Sequence, residues 1–316
     1  MFHTYIDGNS IGHAAHARGG PRLVAGSVDT TAIFGALSTM RKVMRGRASS
    51  LPVVLWDGRS WRKDATKGDV KEYKANRVDS AEKVAAREAY KKARPAIARG
   101  FRLLGVRQLI ASNMEADDLA AILVRNAMTK GHKVTLITGD KDWLQLVQKG
   151  VSWVDHKFDR KCTLRDFQEF TGYQSQGAFT DSKALQGDAG DNVPGCGGIG
   201  EKGAQELLGI FPRVQDFLDT PFDEAQRMWK EATGKNMYLK YRRLHQDPEI
   251  RERFLINQTL VDLNHPAIPK PVGLKMVEQP IDLDGFQTFC AEFGFSSILD
   301  RFDYFTSPFR IVEEQV

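Results

Sequence analysis

Nine of the 40 Asp and Glu residues either follow short apolar runs or lie in close groups. Their carboxylates are suitable ligands for metal ions. Two carboxylates about 4 Å apart repel by about 4 kcal/mol at an effective dielectric constant near 20. A fold that brings several of them together therefore needs raised pKa values or bound cations. Taken one at a time, each acid also suits an ordinary turn or a helix cap. The nine residues are Asp7, Asp57, Glu115, Asp117, Asp118, Asp140, Asp142, Asp188 and Asp191.

The other candidate ligands do not suit zinc. The three cysteines lie far apart, and among the seven histidines only His13 and His16 lie close together, which we interpret as ordinary core or surface residues. Oxygen ligands alone favour hard cations such as Mg²⁺ or Mn²⁺. Pairs of such ions about 3.5 to 4 Å apart are used to hydrolyse phosphodiesters. The sequence therefore predicts two or more divalent ions.

Positive charge is concentrated in one segment. Between Arg59 and Arg107 there are 15 Lys or Arg against 6 Asp or Glu, a local charge of +9 in a chain whose net charge is +5. Trp61, Tyr73 and Tyr90 lie among these charges. Basic side chains interspersed with aromatic ones are typical of nucleic-acid binding, although a lone basic helix is more often a solvated surface.

A glycine-rich stretch, Gly195 to Gly200, matches the pattern GxGxxG of dinucleotide-binding folds. That motif requires a preceding strand, and the polar residues DAGDNVP stand there instead. The segment favours a helix ending at Ala184 to Gln186, a tight hairpin, and a second helix beginning at Glu201 to Leu208. Such a hairpin and helix N-terminus can receive a phosphate, and a glycine-rich helix cap with a loop is the alternative.

The elements that would position these residues alternate along the chain. Short strands are predicted at His3–Ile6, Val53–Trp56 and Val134–Thr138, and helices at Thr31–Val43 and Leu119–Thr129. This order indicates an α/β fold with a mostly parallel sheet and helices on both faces. In such sheets the site lies at the carboxyl ends of the strands, where the aspartates are.

Composition limits the classes of protein that this chain can represent. With 316 residues, 41% apolar and 27% charged, it has the composition of a folded globular protein. No apolar run reaches the roughly 20 residues that a membrane span needs, and no secretory signal precedes the first strand. Cys162, Cys196 and Cys290 form no disulfide pattern, so a reducing cytoplasm is expected.

Several motifs resemble those of the 5′-nuclease superfamily, which includes bacteriophage flap endonucleases and the N-terminal nuclease domain of bacterial DNA polymerase I. The motifs are IDGN at 6–9, WDG at 56–58, YKANR at 73–77, MEADD at 114–118, TGDKDWLQL at 138–146, GDAGDNVPGCGGIGEKGA at 187–204 and FCAEFGFSSILDRF at 289–302, which looks like the family's closing helix. The resemblance implies a PIN-like core at 1–180 with a helical arch at about 61–100. It also implies a helix-three-turn-helix (helix-hairpin-helix) subdomain at 181–265 and a C-terminal segment, 266–316, that packs back on the core.

The resemblance also implies roles for individual residues. Asp7, Asp57, Glu115, Asp117 and Asp118 would surround one metal ion, and Asp140, Asp142, Asp188 and Asp191 a second. Lys74 and Arg77 would act on the scissile phosphate, and Tyr73 would stack on a terminal base. Gly195, Gly198, Gly200 and Lys202 would bind DNA, with K⁺ at the hairpin carbonyls. Many relatives carry an arginine where this chain has Ala14.

The implied activity is that of a structure-specific, divalent-metal-dependent 5′ nuclease. It would cut DNA at 5′ ends, flaps and nicks in replication or repair, with an RNA primer as a further substrate and a DNA polymerase as a partner. A free-standing monomer is expected, encoded by a bacterium or a bacteriophage. The alternatives are a PIN-type ribonuclease and a DNA structure-binding module without catalysis.

Overall fold

The computed structural model describes residues 1–17, 23–26, 28–45, 51–68, 72–74 and 81–313. Its strands are β1 (Phe2–Asp7), β2 (Val24–Ala25), β3 (Val28–Asp29), β4 (Leu51–Trp56), β5 (Arg107–Ile110), β6 (Lys133–Ile137), β7 (Val151–Val154), β8 (Lys161–Cys162) and β9 (Lys275–Val277). Its helices are α1 (Gly8–Ala17), α2 (Thr31–Arg45), α3 (Trp61–Ala65), α4 (Ala81–Leu103), α5 (Ala116–Thr129), α6 (Phe167–Thr171), α7 (Gln176–Gln186), α8 (Glu201–Ile210), α9 (Val214–Asp219), α10 (Phe222–Thr233), α11 (Leu239–Gln246), α12 (Pro248–Val261), α13 (Leu283–Glu292), α14 (Ser296–Leu299) and α15 (Phe302–Glu313). Two 3₁₀ helices span Lys141–Leu146 and Ala189–Asp191.

The centre of the fold is a seven-stranded sheet in the order β8-β7-β6-β1-β4-β5-β9. Neighbouring strands from β7 to β5 are parallel, and the two edge strands, β8 and β9, are antiparallel to their neighbours. The predicted α/β class with a mostly parallel sheet is confirmed. Because β1, β4 and β6 are adjacent, the residues that follow them meet at one edge of the sheet.

Helices cover both faces of the sheet because the central strands are apolar on both sides. Along β1, Tyr5 packs in one core cluster with Leu55 and Leu136, and the next residue, Ile6, packs in the other with Val54. Alternation of this kind is expected of a pleated strand buried on two faces. None of the helices in the described ranges is long and apolar enough to cross a membrane.

Helix α4 does not end at its proline. The sequence predicts a helix over Ala81 to Arg94 that Pro95 ends or kinks, and α4 continues through Pro95 for 23 residues in all. A proline inside a helix costs about 3 kcal/mol because it removes one backbone hydrogen bond. Beyond the proline, Ile97 and Phe101 are completely buried. Their burial on the sheet offsets that cost.

The glycine-rich segment forms the predicted helix, hairpin and helix. Helix α7 ends at Gln186, and Gly187 follows with φ of 70°. A side chain at Gly187 would come within 2.5 Å of the Val193 carbonyl oxygen, so this sharp exit from α7 requires glycine. Helix α8 then begins at Glu201.

The C-terminal helices lie against α2 and α4. Phe286 and Phe289 on α13 and Phe305 on α15 are buried in the same cluster as Leu37 and Phe101. The stretch 289–302, predicted as one closing helix, is divided after Glu292, and Gly294 adopts φ of 68° at the break. The boundaries between the three sequence regions stay predictions.

Candidate active site

A cavity of about 700 Å³ opens at the carboxyl ends of β1, β4 and β6. Asp7 ends β1, Asp57 follows β4, and Asp140 follows β6. Glu115 and Asp117 reach the same cavity from the start of α5. Five of the nine predicted acids therefore line one opening, as the parallel sheet requires.

A second cavity of about 400 Å³ adjoins the first and shares Lys74, Asp117, Asp140 and Lys141 with it. It adds Asp142, Asp188 and Asp191 to the group. The structure thus brings eight of the nine acids to two connected cavities.

Asp7 and Asp57 are fixed by hydrogen bonds from neighbouring elements. Asp7, which is 6% exposed, accepts from the Ser10 N–H at 2.9 Å and from the Thr138 hydroxyl at 2.8 Å. Asp57 accepts from the Ala116 N–H at 2.8 Å. Burial raises the pKa of Asp7, and withdrawal from water together with the charges of Asp7 and Glu115 raises the pKa of Asp57 to about 6.

Asp117 stands at the centre of the acidic group. Its Oδ1 accepts from the Trp143 indole N–H at 2.6 Å. Burial, followed by the charges of Asp140 and Asp57, holds the pKa of Asp117 well above its ordinary value. These groups resist ionisation because like charges face one another with little water between them.

The donor set fits divalent cations. All eight side chains offer carboxylate oxygens, which hard cations prefer, and a bound cation would relieve the repulsion that raises the pKa values. Among the described residues, no three His, Cys, Asp or Glu side chains are grouped closely enough to hold an ion as they stand.

Asp142, Asp188 and Asp191 line the side of the second cavity towards the hairpin. Asp142 forms an ion pair with Lys183 at 2.7 Å. Asp188 Oδ1 accepts from the Gly190 N–H at 2.7 Å and from the Asp191 N–H at 3.2 Å, which folds the turn after α7. This turn directs the two acids from the hairpin towards the sheet.

Asp118 differs from the prediction that it binds metal, because it lines neither cavity. It is completely buried, and its two oxygens accept from the Arg62 guanidinium at 2.9 and 3.0 Å. Adjacent residues on a helix point about 100° apart, so Asp117 faces the cavity while Asp118 faces the core. Its carboxylate neutralises Arg62 in the interior.

Lys74 occupies the space between the two cavities. Its ammonium lies 2.6 Å from Glu115 Oε1 and 3.5 Å from Asp191 Oδ2, and its backbone has φ of 60°. Burial opposes ionisation of Glu115, but Lys74, Ser60 and Arg62 outweigh it and lower the pKa of Glu115. Lys74 therefore lies beside the acids, as the sequence motif indicates. Arg77 lies outside the described residues.

Tyr73 is placed differently from the stacking role predicted for it. The side chain is only 8% exposed and packs against Val193 and Leu260. Its hydroxyl donates to Asp191 Oδ2 at 2.8 Å. The ring thus anchors the segment that carries Lys74, and it offers no open face to a base in this arrangement.

The hairpin exposes part of its backbone. Gly195, Gly198, Gly200 and Lys202 are all exposed. A side chain on Gly195 would come within 2.7 Å of the Gln186 carbonyl oxygen, whereas one on Gly198 or Gly200 would meet nothing within 4 Å. The open surface over Gly198 and Gly200 permits close approach of a phosphate. The Pro194 carbonyl accepts from Asn257 Nδ2 at 2.6 Å.

The cationic residues at the site that were not identified from the sequence include Arg62, Lys157 and Lys183, of which Lys183 lines the smaller cavity. Arg62 is buried beneath the acids, and Lys157 lines the larger cavity from the loop between β7 and β8. Arg62 lies within the basic segment but looks like a surface residue there. Lys157 belongs to no motif, so only the fold shows its place.

Comparison with known proteins establishes the family. Residues 3–172, just over half of the chain, match the 5′-3′ exonuclease N-terminal resolvase-like domain. The chain belongs to this 5′-3′ exonuclease family. It is 32% identical over 217 residues to the flap endonuclease Xni of Shewanella woodyi, covering 67% of this chain and 81% of that protein.

This chain is also similar to part of a longer protein. It is 29% identical over 296 residues to DNA polymerase I of Caldicellulosiruptor bescii, which is 87% of this chain and 34% of the polymerase. The chain therefore spans about a third of that relative. Among solved structures, the flap endonuclease of bacteriophage T5 in complex with DNA and metal ions superposes with a TM-score of 0.64 at 22% identity, covering 99% of this chain and 100% of that one. This likeness supports the PIN-like fold.

Proposed function

We propose that this exonuclease-family protein is a structure-specific 5′ nuclease that hydrolyses phosphodiester bonds at 5′ ends, flaps and nicks of DNA. One observation carries the proposal: eight carboxylates line two connected cavities, with the Lys74 ammonium between them and the glycine hairpin on one side. This arrangement combines a cation site with groups that bind a polyanion.

The proposed cofactor is Mg²⁺ or Mn²⁺, with two or more ions. Asp7, Asp57, Glu115, Asp117 and Asp140 would hold ions in the larger cavity, and Asp142, Asp188 and Asp191 would do so in the smaller one. When bound, such ions stabilise negative charge on the phosphate and on the leaving oxygen.

The protein's own contribution is to hold and neutralise the substrate. Lys74 binds a scissile phosphate by exchanging its contact with Glu115 for a contact with a phosphate oxygen. A positioned donor of this kind contributes about 3 to 4 kcal/mol to the transition state. Arg77 is proposed to act with it. The raised pKa values of Asp7 and Asp57 mean that ionisation of these ligands and cation binding favour one another.

The hairpin is proposed to hold the duplex region through phosphates, without reading the bases. Gly198, Gly200 and Lys202 are exposed there, and backbone contacts of this kind carry no sequence information. K⁺ at the hairpin carbonyls, action on RNA primers, a DNA polymerase partner, a monomeric state and a cytoplasmic location complete the proposal.

A cleavage assay with Mg²⁺ tests the function. The substrates are a 5′-flap DNA, a blunt duplex and a flap with matched RNA sequence, each labelled at the 3′ end of the cleaved strand. We expect cleavage of the flap DNA near the junction, loss of cleavage in EDTA, and at least a hundredfold loss in Asp140→Asn. The control variant Asp300→Asn, whose exposed acid lies outside both cavities, keeps wild-type rates.

The alternatives give other results in the same assay. Preference for the RNA substrate would support a PIN-type ribonuclease. Binding of flap DNA without product at any Mg²⁺ or Mn²⁺ concentration would support a binding module and refute the nuclease.

A further inference from the structure

Lys157 lines the larger cavity from a loop that is held by internal hydrogen bonds. The loop spans 155–160 between β7 and β8, and it is closed by the Asp155 N–H donating to the Arg160 carbonyl at 2.8 Å. Asp155 is buried, and its carboxylate accepts from the Lys157 N–H at 2.8 Å and from the Arg160 guanidinium at 2.7 Å. The backbone of Lys157 is thus held in place while its side chain is exposed.

The end of the Lys157 side chain lies over Gly139. A β-carbon placed on Gly139 would be 3.2 Å from Lys157 Cε and 3.3 Å from Lys157 Nζ. The same carbon would be 3.3 Å from Ser10 Oγ, which lies in the first turn of α1. Glycine between Thr138 and Asp140 therefore leaves the room in which this ammonium sits beside the acidic group.

Lys157 differs from Lys74 in its partners. The Lys74 ammonium is in direct contact with Glu115, whereas Lys157 has no ion-pair partner among the residues that the structure describes. The charge of Lys157 partly opposes the burial that raises the pKa of Asp7, but the two groups share no hydrogen bond in the described part of the chain. An exposed ammonium of this kind can take an anion without first breaking a salt bridge.

We propose that Lys157 forms a second phosphate-binding subsite, which holds a phosphate of the cleaved strand next to the scissile one. The inference rests on the proposed function and adds a residue to it. Lys74 approaches the acids from the side of the hairpin turn, and Lys157 approaches from β7 beyond Gly139. Because Lys74 and Lys157 line the same cavity from different elements, two successive phosphates held by them would fix the strand across the acidic group.

Binding of the 5′-flap DNA in EDTA, measured over a range of salt concentrations, tests the subsite without catalysis. Lys157→Gln is compared with wild type, with Lys157→Arg and with Lys161→Gln. The last variant removes the same charge from an exposed position on β8, just after the loop and outside the cavity. We expect Lys157→Gln to weaken binding about tenfold. We also expect its slope of log K against log salt to become shallower by about 0.7 to 0.9, the value for one lost phosphate contact. Lys157→Arg and Lys161→Gln keep the wild-type slope.

A second measurement locates the contact. Flap DNAs that carry one neutral methylphosphonate at successive positions are bound to both proteins. We expect wild type to bind more weakly when the methylphosphonate replaces the phosphate next to the scissile one. Lys157→Gln should bind that DNA as well as it binds the unmodified flap. Equal slopes for Lys157→Gln and Lys161→Gln, or equal methylphosphonate losses at every position, overturn the subsite. Absence of Mg²⁺-dependent cleavage by wild type would instead overturn the proposed function, whatever the slopes.

Discussion

Replacing Arg62 by leucine tests the assignment of Asp118 to the protein interior. The Arg62 side chain is 3% exposed and that of Asp118 is 0% exposed, and the two form a bidentate pair. Removal of one partner leaves a buried charge without compensation, which costs about 3 to 5 kcal/mol. The Leu260 carbonyl, which accepts from Arg62 Nε at 2.7 Å, also loses its donor. We therefore expect Arg62→Leu to lower the free energy of unfolding by at least 3 kcal/mol.

Urea unfolding at neutral pH measures this loss. The double variant Arg62→Leu/Asp118→Leu should recover part of it, because the orphaned carboxylate is gone while the Leu260 carbonyl still lacks its donor. Asp118→Asn should weaken Mn²⁺ affinity in a calorimetric titration much less than Asp140→Asn does, because Asp118 acts on the site only through Arg62, which lies 3.6 Å from Glu115. A cost below about 1 kcal/mol for Arg62→Leu, or equal losses of Mn²⁺ affinity in the two aspartate variants, would refute the interior role.

Two further predictions concern the cavity. Lys74→Ala should slow single-turnover cleavage, measured by rapid quench, by a factor of about 10² to 10³. Its DNA affinity, measured by equilibrium binding, should change less than about threefold. An unchanged cleavage rate would remove Lys74 from the mechanism. The second concerns pH: the pKa of Asp57 rises from 3.8 to about 6 on folding, so the folded protein binds more protons than the unfolded one between these values. In EDTA the free energy of unfolding of wild type, taken relative to that of Asp57→Asn, should therefore fall as pH rises from about 4 to about 6, and Mg²⁺ should restore it near neutrality. A rise of this difference with pH in EDTA would contradict the environment assigned to Asp57.

The sheet and the acidic group could be predicted because local signals determine them. Short apolar runs followed by aspartate indicate parallel strands with acids at their carboxyl ends, and β1, β4 and β6 are where those runs lie. The topology rule for α/β sheets then brings the acids together without knowledge of any contact. The hairpin was predictable for a similar reason, since Gly187 and its neighbours are required by backbone geometry at that turn.

Long-range pairing could not be predicted. Asp117 and Asp118 are equivalent in the motif EADD, and only the position of Arg62, 56 residues away in sequence, separates their roles. From sequence Pro95 predicts an end or a kink of the helix, and the helix does not end there because the residues after it are buried. Tyr73 looks like a stacking residue, yet Val193 and Leu260 enclose it.

Residues 72–74 are fastened to the turn that precedes the hairpin. The Lys74 N–H donates to the Asp191 carbonyl at 2.9 Å, the Tyr73 hydroxyl donates to the Asp191 carboxylate at 2.8 Å, and Asn192 Nδ2 donates to the Glu72 carbonyl at 2.8 Å. The distance between the groups proposed to bind the duplex and the group proposed to contact the scissile phosphate is therefore fixed. The position of the cut would then be set relative to the junction between double and single strand, and it would not depend on the length of the free 5′ strand.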